Sequence, residues 1–193
     1  MHPVLKTELS VLSEEIRGVS QSEAQVNPLP GLGRWSAQEV IEHLILTYEM
    51  TMEELNRQFA RGRALRRKRG PLEVFLRLQT IGLGYLPEGV PAMLRVRPQH
   101  SRAQGGALLA ERLLSKGEEM DALLVQARQK FGIQPCAAHP FYGGLRVDEW
   151  RRYHAIHARH HLKQLCGAIA FARSHEARGP LVINGLREGH LVS

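Results

Sequence analysis

Apolar residues recur every three or four positions along five stretches of the chain, the spacing typical of amphipathic helices. In the first stretch, residues 4–18, glutamates separate Val4, Leu5, Leu9, Leu12 and Ile16. The other stretches run from 36 to about 59, from 71 to just before 82, from about 107 to 130, and from about 147 to 173. Long helices joined by loops bury their apolar stripes only against one another. The pattern therefore predicts an all-α fold, an antiparallel bundle of about four main helices.

Local signals support two of the predicted helix starts. Ser36 and Glu39 form the S-x-x-E pattern of a capping box directly before an apolar run. Pro71 suits the first turn of a helix, where a backbone N–H would have no partner. In contrast, residues 86–106 contain three prolines and three glycines. They predict a long irregular connection, either a functional cover or a mobile connector.

The length of 193 residues suits one domain, and no linker divides the chain. We therefore expect a single helical domain over residues 1–193, with residues 175–193 as an extended tail. A short apolar piece at 181–183 is expected to pack back on the bundle or on a second subunit, which would make a homodimer.

The composition favours helices and a soluble protein. Aromatic residues make up only 6% of the chain, while 43% of residues are apolar. No run approaches the roughly 18 apolar residues of a spanning helix, and the N-terminus lacks the apolar core of a secretory signal. Cys136 and Cys166 have no ligand-like spacing and predict reduced thiols rather than a disulfide. We expect a cytoplasmic protein with no membrane partner.

The formal charge of +7 raises the question of nucleic acid, but its distribution argues against a specific site. Six of the nine residues at 61–69 are basic. No aromatic residue is interleaved among them to stack bases, and no known nucleic-acid-binding pattern accompanies them. The run predicts a solvated basic loop between helices.

Histidines carry the strongest chemical signal in the sequence. His157 and His161 lie four residues apart on the last predicted helix, so both imidazoles face one side and can reach one divalent ion. Taken alone, such a pair in a chain with ten histidines arises by chance about as often as for a metal. A third ligand on a neighbouring helix would complete a site with open positions for water or substrate.

Two segments resemble the signatures of the DinB/YfiT-like family. The first is Trp35-Ser-Ala-Gln-Glu-Val-Ile-Glu-His43-Leu. The second is the HPFYG-type loop His139-Pro-Phe-Tyr-Gly-Gly-Leu-Arg-Val-Asp-Glu-Trp150, followed by His157-x3-His161-Leu-Lys-Gln164. The resemblance implies a four-helix bundle in which His43, His157 and His161 bind a divalent metal. Arg146 departs from the Ser or Thr that often precedes the final helix, which predicts a weaker N-cap.

The resemblance also implies the class of reaction. Characterised members include thiol-dependent S-transferases and related metal-dependent enzymes. This implies transfer of a thiol to an electrophilic small molecule, and metal-assisted hydrolysis is the competing reaction. The alternative is a non-catalytic module that binds a protein or small ligand around a structural or vestigial metal. Zinc, nickel and iron all suit three imidazoles. If the irregular connection covers the pocket, Arg95 and Arg97 are expected to bind the anionic part of a substrate such as a low-molecular-weight thiol.

Overall fold

Helices dominate the structure, a computed structural model that describes residues 1–28, 34–66, 70–99 and 102–177. The helices are α1 (Pro3–Arg17), α2 (Gln21–Gln25), α3 (Ala37–Arg61), α4 (Pro71–Arg77), α5 (Gly106–Phe131) and α6 (Val147–Ala177). A π-helical turn, Leu78–Gly82, continues α4, and a 3-10 turn spans Leu94–Val96. Two short strands, β1 (Ala137–His139) and β2 (Gly143–Leu145), pair antiparallel. The predicted all-α class is confirmed.

Four long helices form the bundle. Helices α1 and α3 each pack against both α5 and α6. Their apolar stripes meet in one core, whose largest fully buried side chains include Leu9, Ile41, Leu44, Leu113 and Trp150. Burial of these stripes stabilises helices that would be marginal in isolation.

Helices α1 and α5 run antiparallel and approach closely. A Cβ atom built on Gly106, at the start of α5, would lie 1.8 Å from the carbonyl oxygen of Ile16 at the end of α1. Farther along α5, a Cβ on Gly117 would lie 2.3 Å from Leu9. Because these two positions are glycine, the backbone of α5 can contact the backbone of α1 at Ile16 and the side chain of Leu9.

Helices α3 and α5 run in the same direction. The backbone N–H of Gln104, just before α5, donates to Gln38 at the start of α3 at 2.9 Å. At the other ends, the rings of Phe59 and Phe131 stack with centroids 5.6 Å apart. The long connection between α3 and α5 carries the chain back along the bundle. The predicted antiparallel arrangement thus holds for two helix pairs, α1 with α5 and α3 with α6. Contacts between histidines and threonines on α3 and α6 show the second pairing.

Caps fix where the helices begin. Ser36 accepts from the N–H of Glu39 at 3.2 Å, and Glu39 accepts from the N–H of Ser36 at 2.7 Å, so the predicted capping box is confirmed. Helix α6 starts differently. The carboxylate of Glu149 accepts from the backbone N–H and the guanidinium of Arg146, which supplies the cap that the side chain at 146 does not.

Three features differ from the sequence-based expectations. Helix α2 begins with a second capping box, Ser20 with Glu23, and was not predicted. The β1–β2 hairpin was not predicted either, because its strands are only three residues long. Helix α6 ends at Ala177, so the first residues of the expected tail are helical. Residues 178–193, including the apolar piece at 181–183, lie outside the described residues. Within the described ranges, no helix is long and apolar enough to cross a membrane.

Candidate metal centre

The structure brings the three predicted histidines together. His43 lies on α3, and His157 and His161 lie one turn apart on α6. The Nε2 atom of His157 is 3.2 Å from Nε2 of His43 and 2.9 Å from Nε2 of His161. One ligand nitrogen from each ring lies within 4.8 Å of the others. All three side chains are buried, between 4% and 6% exposed.

The local fold explains why the rings converge. The capping box starts α3 at Ala37, so that His43 is almost two turns in and on its buried face. Helices α3 and α6 are antiparallel: beyond His43 on α3, Thr51 contacts His154, which precedes the other histidines on α6. The four-residue step on α6 then places two imidazoles on the side that faces α3.

Hydrogen bonds on the far side of two rings set their tautomers. The Nδ1 atom of His43 lies 2.7 Å from the backbone carbonyl of Val96, and Nδ1 of His161 lies 2.9 Å from Oε1 of Gln164. Because both partners are oxygens that only accept, each Nδ1 carries the proton and donates it. The Nε2 lone pairs of His43 and His161 therefore point toward the common centre, as metal ligation requires.

Burial keeps the three imidazoles neutral. Loss of solvation lowers the pKa of His161 to about 3 and also lowers the pKa of His43. The pKa of His157 falls well below its ordinary value, first because the ring is buried and then because His161 and His43 are close. Neutral imidazole is the form that binds a metal ion.

The donor set fits a divalent cation. Two nitrogens on a tetrahedral ion with bonds of about 2.0–2.1 Å lie roughly 3.3 Å apart, near the Nε2–Nε2 distances of 3.2 and 2.9 Å in the structure. The Nε2 atoms of His43 and His161 both carry lone pairs that need a hydrogen-bond donor or a metal ion. A neutral His157 has at most one proton on Nε2, so it can donate to only one of them. A cation at the centre satisfies all three. Among the described residues, no fourth histidine, cysteine or carboxylate joins this group.

Aromatic rings form the walls of the centre. Trp35 lies with its ring centroid 4.7 Å from His43 and 6.0 Å from His161, nearly parallel to the latter. Tyr153 stacks on His157 with centroids 5.5 Å apart. Trp35 contacts two of the three histidines and is only partly buried, whereas Trp150 is fully buried.

Other histidines have separate partners. His154, buried completely, contacts the hydroxyl of Thr51 at 3.1 Å. Since that hydroxyl donates to the carbonyl of Thr47, the Nε2–H of His154 donates to it. His139 accepts from the N–H of Phe141 at 3.1 Å and so fixes the hairpin turn. His160 is half-buried and its ring packs edge-on against His161 with centroids 5.1 Å apart, but it is not one of the three residues whose ligand nitrogens converge.

The two arginines predicted to bind substrate lie within the irregular connection and contact other groups. The exposed guanidinium of Arg95 forms an ion pair with Glu53. Glu53 is ten residues beyond His43 on α3, roughly 15 Å along the axis at 1.5 Å per residue. The guanidinium of Arg97 donates to the carbonyl of Ala92 at 3.3 Å. A role for Arg95 and Arg97 in substrate binding stays a prediction.

A cleft of about 400 Å³ lies between α3, the 3-10 turn and the hairpin. Its lining includes Met50 and Glu54 of α3, Arg95, and Pro140 of the hairpin turn.

The described part of the basic run, residues 61–66, begins at the last residue of α3. Its arginines are exposed, in agreement with a solvated loop. Residues 67–69 of the run lie outside the described residues.

The sequence did not predict the backbone carbonyl of Val96 as a partner of His43. Every residue has a carbonyl, so no residue type signals this role. Gln164 is different, because it lies three residues after His161 on the same helix and its amide was within reach by spacing alone.

The comparison with protein families finds one match over most of the chain. Residues 6–165 match the sequence pattern of the DinB superfamily, and they include His43, His157 and His161. Comparisons with curated proteins and with solved structures find no match. The helical bundle agrees with this assignment, and the chain belongs to the DinB superfamily.

Proposed function

We propose that the protein is a divalent-metal-dependent enzyme whose ion is bound by His43, His157 and His161. The observation that carries this proposal is the donor set itself, three buried neutral imidazoles with no fourth protein ligand among the described residues. A structural zinc site is usually closed by four protein ligands, whereas a catalytic site uses three and keeps a position open. Zinc, nickel and iron all suit such ligands.

The proposed reaction is transfer of a low-molecular-weight thiol to an electrophilic small molecule. A bound divalent ion lowers the pKa of a coordinated thiol or water and so supplies a nucleophile at neutral pH. The protein contributes the orientation of the three Nε2 atoms, through Val96 and Gln164, and a buried setting that excludes bulk water. The two signatures resemble a family whose characterised members include thiol-dependent S-transferases, and this supports transfer over metal-assisted hydrolysis.

Substrate is expected to reach the centre past Trp35, the partly buried wall of the site. Arg95 and Arg97 would then serve a substrate only if they leave their present partners, Glu53 and the Ala92 carbonyl. We therefore expect Trp35→Ala to raise KM for the electrophile more than Arg97→Ala does. Equal KM values for the two variants would place the entrance elsewhere.

Metal content tests the proposed site directly. Protein purified without a metal-affinity tag is expected to bind one divalent ion per chain by elemental analysis. His43→Ala, His157→Ala and His161→Ala should each lose most of it while far-UV circular dichroism stays helical, because the apolar core does not include the ion. His160→Ala, a histidine on the same helix but outside the centre, should keep full metal. Full metal in His43→Ala would refute the site.

Turnover separates the enzyme from the alternative, a non-catalytic module with a structural or vestigial metal. A panel of low-molecular-weight thiols and electrophiles is assayed with the metal-loaded protein, with chelated protein and with His157→Ala. Metal-dependent loss of thiol that disappears in the variant supports the enzyme. Stoichiometric metal without thiol transfer or hydrolysis across the panel favours the binding module.

A further inference from the structure

The helical segment formed by α4 and its π-helical turn, residues 71–82, is oriented with its apolar side outward. Leu72, Phe75 and Leu78 are 68%, 62% and 60% exposed. At 100° per residue they fall within about 120° of one another, so they form one face. Leu83 and Tyr85, which follow directly, are also exposed. We call these five side chains the α4 apolar face.

Polar contacts hold the opposite side of the segment on the protein. Arg77 forms an ion pair with the buried carboxylate of Glu149 on α6. The hydroxyl of Tyr142 in the hairpin donates to Thr80 at 3.2 Å. Leu76 and Ile81 of the segment also pack against the core. Segment 71–82 is thus anchored by both polar and apolar contacts, and it still presents Leu72, Phe75 and Leu78 to solvent.

Basic residues precede segment 71–82 in the sequence, and another contacts its end. Arg61, Arg63 and Arg66 precede the segment and are exposed. At its other end, the exposed guanidinium of Arg152 donates to the carbonyl of Gly82 at 2.9 Å. The nearest carboxylate in sequence, Glu73, accepts from the N–H of Gly70 and caps the segment.

We propose that the α4 apolar face and these arginines bind the protein to an anionic lipid surface. An apolar helical face with basic residues around it is the pattern of an interfacial helix, which lies in the plane of a membrane without crossing it. Anionic headgroups attract the arginines, and the acyl boundary receives Leu72, Phe75 and Leu78. This inference is independent of the metal centre and revises the expectation that no membrane takes part.

Charge favours a lipid surface over a second copy of the chain. In a two-fold symmetric contact through α4, the same surface of each subunit faces the other. Arg61, Arg63, Arg66 and Arg152 of one copy would approach those of its partner, and like charges across an interface are unfavourable. An anionic membrane neutralises them instead.

Vesicle sedimentation tests the apolar part of the proposal. The full chain at low salt is expected to sediment with vesicles of phosphatidylcholine and phosphatidylglycerol, and to remain in solution with phosphatidylcholine alone. The variant Leu72→Ser/Phe75→Ser should bind at least about tenfold more weakly, because it removes the side chains that enter the acyl boundary. Leu108→Ser/Val125→Ser removes two exposed apolar side chains from α5 and should bind like wild type.

A second pair of variants tests the charge. Arg61→Gln/Arg63→Gln/Arg66→Gln should lower vesicle binding by roughly tenfold or more. The matched control Lys6→Gln/Arg17→Gln/Arg173→Gln removes the same number of exposed positive charges away from this end of the bundle and should have a small effect.

Two results would overturn the proposal. One is binding to anionic vesicles that is equal in wild type and Leu72→Ser/Phe75→Ser. The other is absence of vesicle binding together with a dimer, seen by sedimentation velocity, that the same variant dissociates; the α4 apolar face would then be a contact between copies. The variants replace exposed side chains, and their thermal unfolding should match wild type, so loss of binding reports on the surface.

Discussion

His43 and His161 are oriented by the nitrogen that faces away from the common centre. The carbonyl of Val96 and the side-chain oxygen of Gln164 accept the two Nδ1 protons. The Nδ1 atom of His157 has no partner among the described residues. Two of the three rings are thus fixed by a hydrogen bond at Nδ1 and the third is not. Only the acceptor of His161 is a side chain, so only that hydrogen bond can be removed by a substitution.

We expect Gln164→Leu to weaken metal binding by about 10- to 100-fold, because the Nδ1–H of His161 loses its acceptor and the ring is free to rotate. Gln164→Glu keeps an acceptor at the same place and should bind at least as tightly as wild type. Competition with a chelating dye measures both affinities. Wild-type affinity in Gln164→Leu would show that helix packing alone orients His161.

The pH dependence of metal affinity follows from the lowered histidine pKa values. Three histidines with ordinary pKa near 6.5 would lose about 1,000-fold in affinity between about pH 7.5 and about pH 5.5, because each must be neutral to bind. Burial lowers all three pKa values, that of His161 to about 3. Protons therefore compete only at lower pH, and we expect less than about a tenfold loss over this range. A loss near 1,000-fold would mean that the rings are solvated.

At the scale of elements, helices α1 and α5 come into backbone contact at Gly106. Its N–H donates to the carbonyl of Val19 at 2.9 Å, and an added Cβ would lie 1.8 Å from the carbonyl oxygen of Ile16. The clash is with backbone, which cannot rotate away as a side chain can.

Gly106→Ala is expected to destabilise the protein by about 1–3 kcal/mol or more, since α1 and α5 must separate. Gly167→Ala is the matched control, because it lies within α6 and a Cβ there meets nothing within 4 Å. That change should stabilise by about 0.5–1 kcal/mol through higher helix propensity. Urea unfolding measures both, and an unchanged midpoint in Gly106→Ala would show that the helix ends adjust freely.

Long helices could be predicted from sequence because many residues repeat one signal. Helix α3 has a capping box and an apolar stripe, and its start was located to the residue. Helix α2 and the strands of the hairpin hold only five and three residues, too few for a period to be seen. The parallel course of α3 and α5 depends on contacts such as Gln38 with Gln104, which no local pattern contains.

Spacing predicted two histidines of the centre, the family resemblance supplied the third, and their hydrogen-bond partners outside α6 were not predictable. His157 and His161 share a helix, so spacing alone places them together. His43 required the family resemblance, because spacing does not relate residues on different helices. The carbonyl of Val96 belongs to an irregular connection whose path depends on tertiary packing. No sequence pattern predicts its contact with His43.

The folded protein as a whole carries several buried neutral histidines. Burial lowers the pKa of His139, His154 and His161 to about 3 in each case. In the unfolded chain they titrate near 6.5, so below that pH the unfolded state binds more protons and the free energy of unfolding falls. Stability is therefore complete above about pH 6.5 and is lost as pH decreases toward 3.

We expect the metal-free protein to lose about 4 kcal/mol of stability per pH unit below about 6.5, from these three groups at about 1.4 kcal/mol each. A total stability of about 5–15 kcal/mol would then be exhausted roughly one to four units lower, which predicts acid unfolding between about pH 5.5 and about pH 3. Urea unfolding followed by circular dichroism at several pH values measures the slope. A free energy of unfolding that stays constant from about pH 7 to about 5 would contradict it.

The bond from His43 to the carbonyl of Val96 joins an ion-binding ring to the irregular connection between α4 and α5. Each therefore influences the other's equilibrium, and the influence is reciprocal. If a bound ion favours the position of Val96 seen here by some factor, then any molecule that displaces the connection weakens the ion's binding by the same factor. Hydrogen exchange at residues 94–97 should slow when metal is added. A change in the affinity for the ion would in turn report a change in the position of this connection.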